Sequence, residues 1–303
     1  MSALTSVAAG SRRWPAVLAL LVNAAIWGGS WWPFRQLLEL GVHPLLATGL
    51  VFLLGSAVVA LYRRRSLAMM LASPGCWAIA LASGLTNGGF NWAVTLGPVV
   101  RVVLLFYLMP VWAALLARWM LGERLDVAAV IRIALGLGGA VFVLWQPGVG
   151  LPLPERLSEW LALGGGIGFA LVNVLLRRHA AVPTDARVLA MFVGCAACLL
   201  PLGIARHLLD PGASALVDAW ITGAPRIAAM LAGLAALLLG ANLALQYGAA
   251  RLPTNLASVI MLSEIVFAAG SAIWWDGEAL TPRILAGGAM ILGSALLATR
   301  GRH

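Results

Sequence analysis

The chain has 303 residues, of which 62% are hydrophobic and 10% charged, and its formal net charge of +9 comes from Arg, with no Lys present. Soluble domains carry about 25% charged and roughly 45–50% apolar residues, so this chain cannot clothe a globule in polar surface. A soluble enzyme, a disordered protein and a disulfide-stapled secreted domain are excluded, leaving an all-α polytopic membrane protein, whose helices accommodate the 34 Gly and 15 Pro.

A bilayer-crossing helix needs about 20 mostly apolar residues, and ten runs qualify. The first, Trp14–Phe34, follows Arg12-Arg13 and carries Asn23, Trp27 and Ser30. It reads as a span and not a signal peptide, because Trp31-Trp32-Pro33 offers no small-residue cleavage site. The second, Pro44–Tyr62, ends at Arg63-Arg64-Arg65. The third, Cys76–Val94, places Asn87 and Asn91 four residues apart on one helix face. The fourth, Val99–Leu121, holds Arg101 about one turn in, then Tyr107 and Pro110. Pro110 should kink it, either as a gating hinge or to shape a cavity. Arg101 reads either as a holder of a carboxylate or, the favoured reading, as a side chain snorkelling to the interface. The fifth, Val127–Trp145, contains Arg132 and a Gly136-Leu137-Gly138-Gly139 stretch that lacks the strand–turn–helix setting of a dinucleotide loop.

The sixth run, Trp160–Leu176, carries Asn173. The seventh, Ala186–Ala205, contains Cys195 and Cys198; a C-x-x-C inside an apolar run, away from any base, reads as helix packing. The connection His207–Pro225, with Asp210-Pro211-Gly212, reads as an ordered or interfacial loop. The eighth run, Ile227–Tyr247, repeats the four-residue amide spacing with Asn242 and Gln246. The ninth, Asn255–Trp275, holds Glu264, the only carboxylate near the middle of any run, and the tenth is Pro282–Thr299. The other connections are short, so no soluble domain is inserted.

Arg placement sets an expected orientation. With a cytoplasmic N-terminus, Arg12, Arg13, Arg63, Arg64, Arg65, Arg118, Arg124, Arg177, Arg178, Arg187, Arg251, Arg300 and Arg302 lie inside, while Arg35, Arg101, Arg156, Arg206, Arg226 and Arg283 lie outside. This bias satisfies the positive-inside rule with both termini cytoplasmic. Trp14, Trp77, Trp119, Trp145, Trp160, Trp274 and Trp275 fall at span ends, where indoles anchor.

The sequence also matches itself at an offset of 155 residues. VWAALLARWMLGERL, from Val111, aligns without gaps to VFAAGSAIWWDGEAL, from Val266, pairing Trp119 with Trp274, Gly122 with Gly277 and Glu123 with Glu278. The same register pairs Asn87 with Asn242, Asn91 with Gln246, Pro98 with Pro253 and Gly138 with Gly293. Two five-helix units are therefore expected, residues 1–150 and 151–303. An odd number of spans per unit inverts the second, which is the sequence mark of secondary transporters, although some channels share it. The mirrored amides read either as the lining of a substrate cavity between spans three and eight or as amide–amide glue. Asn23, Trp27, Ser30 and Asn173 join the candidates for that cavity. Glu264 reads as an ammonium or proton site, or as a carboxyl bonded to neighbouring helices or capping a broken one. No P-loop, HExxH or GxSxG with a matching His is present, so no enzyme, metal, ATP or other cofactor is expected.

Ten spans, the inverted repeat, Trp27-Gly28-Gly29-Ser30 and the Gly-Glu closing spans four and nine resemble the drug/metabolite transporter superfamily, EamA type, over essentially the whole chain. Where that family usually shows Glu-Pro in span nine, this chain has Glu264-Ile265, with Met109-Pro110 in span four. Within the family the chain looks most like YddG-type exporters of aromatic and other neutral amino acids. The resemblance implies a bacterial inner-membrane exporter working by alternating access. It implies a central cavity with spans five and ten peripheral, amino acids and lipids as partners, no nucleic acid and no obligate protein partner. Substrate contact is then expected from Asn87, Asn91, Asn242, Gln246, Tyr107, Asn23, Trp27, Asn173 and Glu264, with Pro110 as hinge. A carrier of another metabolite or drug and a channel-like facilitator stay open.

Overall fold

A bilayer core has no water to satisfy free amides, which favours helices that bond internally, and every element among the described residues is an α-helix. The computed structural model describes residues 14–62, 64–123, 127–145, 153–209, 213–252 and 254–300. Arg12, Arg13, Arg63, Arg124, Arg302, Pro253 and the Asp210-Pro211-Gly212 stretch lie outside the described residues. In chain order the helices are α1 Trp14–Gly29, α2 Trp31–Glu39, α3 Pro44–Tyr62, α4 Arg64–Ala72, α5 Pro74–Leu96, α6 Val99–Phe106 and α7 Met109–Leu121. They continue with α8 Val127–Leu144, α9 Leu157–Arg178, α10 Thr184–Leu208, α11 Ala213–Ala249, α12 Thr254–Met261, α13 Ser263–Asp276 and α14 Pro282–Arg300.

The chain is a multi-pass membrane protein. Among the described residues, eight stretches are long and apolar enough to cross a bilayer: Trp14–Glu39, Pro44–Leu61, Val99–Leu121, Val127–Leu144, Leu157–Arg178, Thr184–Leu208, Gly223–Ala249 and Val259–Asp276. The third expected run sits in α5, which joins α4 at a 94° bend, and the tenth is the shorter apolar helix Pro282–Leu297. Three boundaries differ from the sequence reading. The first run continues to Glu39 with a break at Ser30, because Pro33 has no amide to donate to Gly29 four residues back. The α4–α5 bend falls at Ser73-Pro74, where proline opens the new helix. The expected 207–225 loop is mostly helix, since α11 begins at Ala213.

Packing falls into matched pairs across the 155-residue register. α9 lies on α5 as α1 lies on α11; α9 runs along α6 and α7 as α1 runs along α12 and α13; α10 packs on α5 as α3 packs on α11. Two further contacts join an element to its own counterpart, α3 with α10 and α8 with α14, and α6 also packs on α13. α8 and α14 pack chiefly on each other. At the centre is α6, every residue of which except Arg101 is buried. The Trp residues expected as anchors all point outward, Trp119 and Trp274 most of all at 81% and 85% exposure. Helix approach is closest at Gly194, where a Cβ would lie 2.3 Å from Ala80 Cα and O.

Candidate functional site

Both long helices that meet at the centre are broken at the same register. In the first half, Pro110 cannot donate to Phe106, and the helix stops at Phe106 and restarts at Met109. In the second half the restart is at Ser263, one turn-residue after Met261. Leu262, at that break, stands 155 residues after Tyr107. No proline drives this second break: Ile265 occupies the position equivalent to Pro110, and the chain tightens through Leu262 N donating to Val259 O at 3.2 Å.

The two breaks are joined. Tyr107 Oη donates to Glu264 Oε2 at 3.0 Å. Tyr107 is buried and its ring meets Phe106 edge-on at 6.2 Å, while Phe106 touches Phe90 at 4.8 Å and Phe169 at 5.8 Å. A lone hydroxyl donating to a carboxyl oxygen leaves the other oxygen and further lone pairs for a cationic or hydrogen-bond-donating group. Two buried donors on the restarting helices have no described partner: Trp112 Nε1, one turn after Leu108 on α7, and Ser263 Oγ, next to Glu264 in the chain. Neither Ser263 nor Trp112 stands out in the sequence by charge, spacing or repeat.

The Trp27-Gly28-Gly29-Ser30 motif supports Glu264 from behind. A Cβ on Gly28 would come within 2.8 Å of Glu264 O and 2.9 Å of Ala268 N, so only glycine lets α1 seat against the start of α13. Trp31 Nε1 then donates to Ser271 Oγ at 2.9 Å, and Ser30 Oγ to Trp27 O at 2.8 Å. Trp27 is half-buried against the cluster containing Phe34 and Leu37.

The amides divide between structural bonds and open positions. Buried Asn23 donates to Ala241 O at 2.8 Å, tying α1 to α11. Buried Asn91 donates to Thr48 Oγ1 at 3.2 Å, tying α5 to α3. Asn87 donates to Ser83 O at 3.1 Å and to Cys195 Sγ at 3.3 Å. Gln246 donates to Asn242 Oδ1 at 3.1 Å, and exposed Asn173 donates back to Phe169 O at 2.9 Å. None of the described hydrogen bonds joins Asn87 and Asn91 to Asn242 and Gln246. Oδ1 of both Asn23 and Asn91 is buried without a described partner.

Charges gather at the helix ends. Arg101 does not snorkel: its Nε lies 2.9 Å from Glu159 Oε1, with the two side chains 13% and 2% exposed. Glu159 Oε2 also accepts from Glu155 N at 2.8 Å and Arg156 N at 3.2 Å, capping α9. Arg35 pairs with Asp276 at 2.5 Å and donates to Val94 O and Gly97 O. Glu278 accepts from the amides of Val99 and Val100, the first two of α6. Glu123 pairs with Arg177. His43, in the α2–α3 connection, sits edge-on to Trp92 at 5.0 Å, and burial together with nearby Arg206 lowers its pKa. A crevice of about 230 Å³ lies between α5 and α10, lined by Cys76, Trp77, Ala80, Leu81, Gly194 and Cys198, apart from the Tyr107–Glu264 pair. No cluster of metal-ligating side chains occurs among the described residues.

Residues 14–145 match the EamA-like transporter family. This stretch is similar to an EamA-like domain. It runs from the first residue of α1 to one residue beyond α8. Chloramphenicol-sensitive protein RarD of Pseudomonas aeruginosa is 29% identical to the chain over 215 residues, which are 69% of this chain. The chain spans 65% of that relative's length. A solved crystal structure, 20% identical, superposes with a TM-score of 0.52 over 95% of this chain and 97% of its own. At that identity the likeness is one of fold.

Proposed function

We propose that the whole chain is a drug/metabolite-superfamily carrier of the bacterial inner membrane, with ten spans in two opposed five-helix halves and both termini cytoplasmic. Its cargo is amino acids, aromatic and other neutral ones, moved outward by alternating access, and it works with no cofactor and no obligate protein partner. The observation that carries this reading is the Tyr107–Glu264 bond, placed where two helices are broken at equivalent positions. A carboxylate at membrane depth suits the ammonium of an amino acid, and a break in each half suits two units that rock about one site. The matched packing pairs support the same arrangement, and the EamA-like stretch supports transport.

In this reading Glu264 holds the ammonium, Tyr107 orients that carboxyl, and Trp112 and Ser263 offer donors to the carboxylate end. Asn87, Asn242 and Gln246 border the pathway. Asn91 and Asn23, each with a buried oxygen that lacks a described partner, stand beside it, Trp27 and Asn173 line its rim, and Pro110 sets the hinge. Counterflow of labelled phenylalanine in proteoliposomes, with and without a pH gradient, tests it. Glu264→Gln is expected to reduce exchange at least tenfold and Tyr107→Phe severalfold, the scale of one hydrogen bond to a charged group. Exchange in Glu264→Gln equal to the parent would refute the ammonium role.

A second reading takes its support from the RarD relative, whose name ties it to chloramphenicol sensitivity. Chloramphenicol has no ammonium group, so competition by it that survives Glu264→Gln would favour a broader efflux carrier. Single-channel currents would favour a pore instead.

A further inference from the structure

The two Gly-Glu turns are built alike and used differently. α7 ends at Gly122 and α13 at Gly277, with φ of 70° and 65°, the left-handed conformation glycine adopts freely. The next amide turns back in each: Glu123 N donates to Ala117 O and Glu278 N to Ala272 O, both at 3.3 Å. Ala272 lies 155 residues after Ala117, so the two carboxylates are presented by the same motif in the same register.

At the Glu278 end there are two acidic side chains for two tasks. Asp276 holds Arg35, which follows the first-span break. Glu278 is left to accept from Val99 N and Val100 N, fastening α13 to the start of α6. At the other end the basic residue beside the turn is Arg177, near the end of α9 and outside the register of Arg35, and the position equivalent to Asp276 is Leu121. Glu123 therefore stands alone, and in this structure Arg177 holds it. Both side chains of that pair are 45% exposed, and an ion pair so exposed contributes little. The register assigns Glu123 a second set of partners, since Val99 and Val100 correspond to Thr254 and Asn255, the opening residues of α12. Free amides at a helix start favour a carboxylate.

Resting on the reading of two opposed halves, we propose that Glu123 is a two-position latch. Paired with Arg177, it leaves its end of the bundle unfastened, while Glu278 fastens the opposite end. Transferred to the amides of Thr254 and Asn255, it closes its own end, as Glu278 releases α6 at the other. Asp276 frees Glu278 from competition by Arg35, whereas Glu123 must give up Arg177 to close. The missing carboxylate at Leu121 thus biases the resting carrier toward the state seen here.

The test is a distance measurement by pulsed electron paramagnetic resonance in the full chain reconstituted in nanodiscs. Spin labels replace Trp119 near the end of α7 and Leu256 near the start of α12, both exposed, in a background with Cys76, Cys195 and Cys198 replaced by Ala. Leu121→Asp, which supplies the second carboxylate, and Arg177→Gln, which removes the competitor, are each expected to raise the short-distance fraction at least threefold. Adding Glu123→Gln to either should cancel the gain. Distances unmoved in both Leu121→Asp and Arg177→Gln, with phenylalanine counterflow intact, overturn the latch alone. Absence of counterflow in the unsubstituted chain defeats the carrier reading and the latch with it.

Discussion

Removing the Glu159 carboxylate should destabilise the protein by about 3–5 kcal/mol, the usual scale for orphaning a buried charge. The charges of Arg101 and Glu159 approach to 2.9 Å with side chains 13% and 2% exposed. At an effective dielectric of about 20, the attraction at that separation is about 6 kcal/mol. Desolvation of both groups offsets much of it. The Arg101 N–H and the facing Glu159 oxygen do not align as a hydrogen bond, so the contact is Coulombic and the lower end of the range is expected from the pair itself. Glu159→Ala also strips the cap from Glu155 N and Arg156 N, which adds about 1 kcal/mol. Arg101 would keep only its bond to Leu144 O at 3.2 Å. Reversible unfolding in mixed micelles reads the loss for Glu159→Met, Arg101→Met and the double variant. The double variant should recover most of the stability, giving a coupling of about 2 kcal/mol or more. Single losses that add to the double within about 0.5 kcal/mol would refute the pair as a stabilising unit.

Two further outcomes concern packing and pH. Gly194→Ala must push α10 from α5, because a carbon at 2.3 Å from Ala80 Cα has to retreat to about 3.5–4.0 Å. A loss of about 3 kcal/mol is expected in the same unfolding assay. Gly270→Ala, with nothing within 4 Å of the new Cβ, should gain about 0.5–1 kcal/mol from helix propensity. His43 resists protonation in the fold, through burial first and Arg206 second, while the unfolded chain protonates it near pH 6.5. Its contribution is therefore full above pH about 6.5 and lost as pH falls toward the folded value. The apparent Tm of His43→Gln should fall less than that of the parent between pH 7 and 5; parallel curves would contradict the burial of His43.

What the sequence made legible was periodicity and punctuation. Apolar run length located the helices, and Pro110 announced the break in span four. Pro33 and Pro74 carried equally plain signals for the breaks at Ser30 and before α5, but a count of apolar runs passes over a proline that lies inside or beside a run. The break at Leu262 had no such mark, since Ile265 stands where a proline would; it shows only once Tyr107 is seen bonded to Glu264, 157 residues away. Arg101 misled for a related reason. A cation one turn inside a span looks like a snorkelling side chain until the fold brings Glu159 from the start of α9. Asn87 and Asn173 bond their own helix four residues back, a local option that a polar residue's spacing does not reveal.

The opposed arrangement of the two halves is tested most directly by sided labelling. A single cysteine replaces either Glu123 or exposed Ala279, next to Glu278, and intact spheroplasts are treated with a membrane-impermeant maleimide. Opposed halves require residue 279 to react from outside and residue 123 only after lysis. Reaction of both from the same side would contradict the arrangement, and with it a pathway that opens alternately to either face.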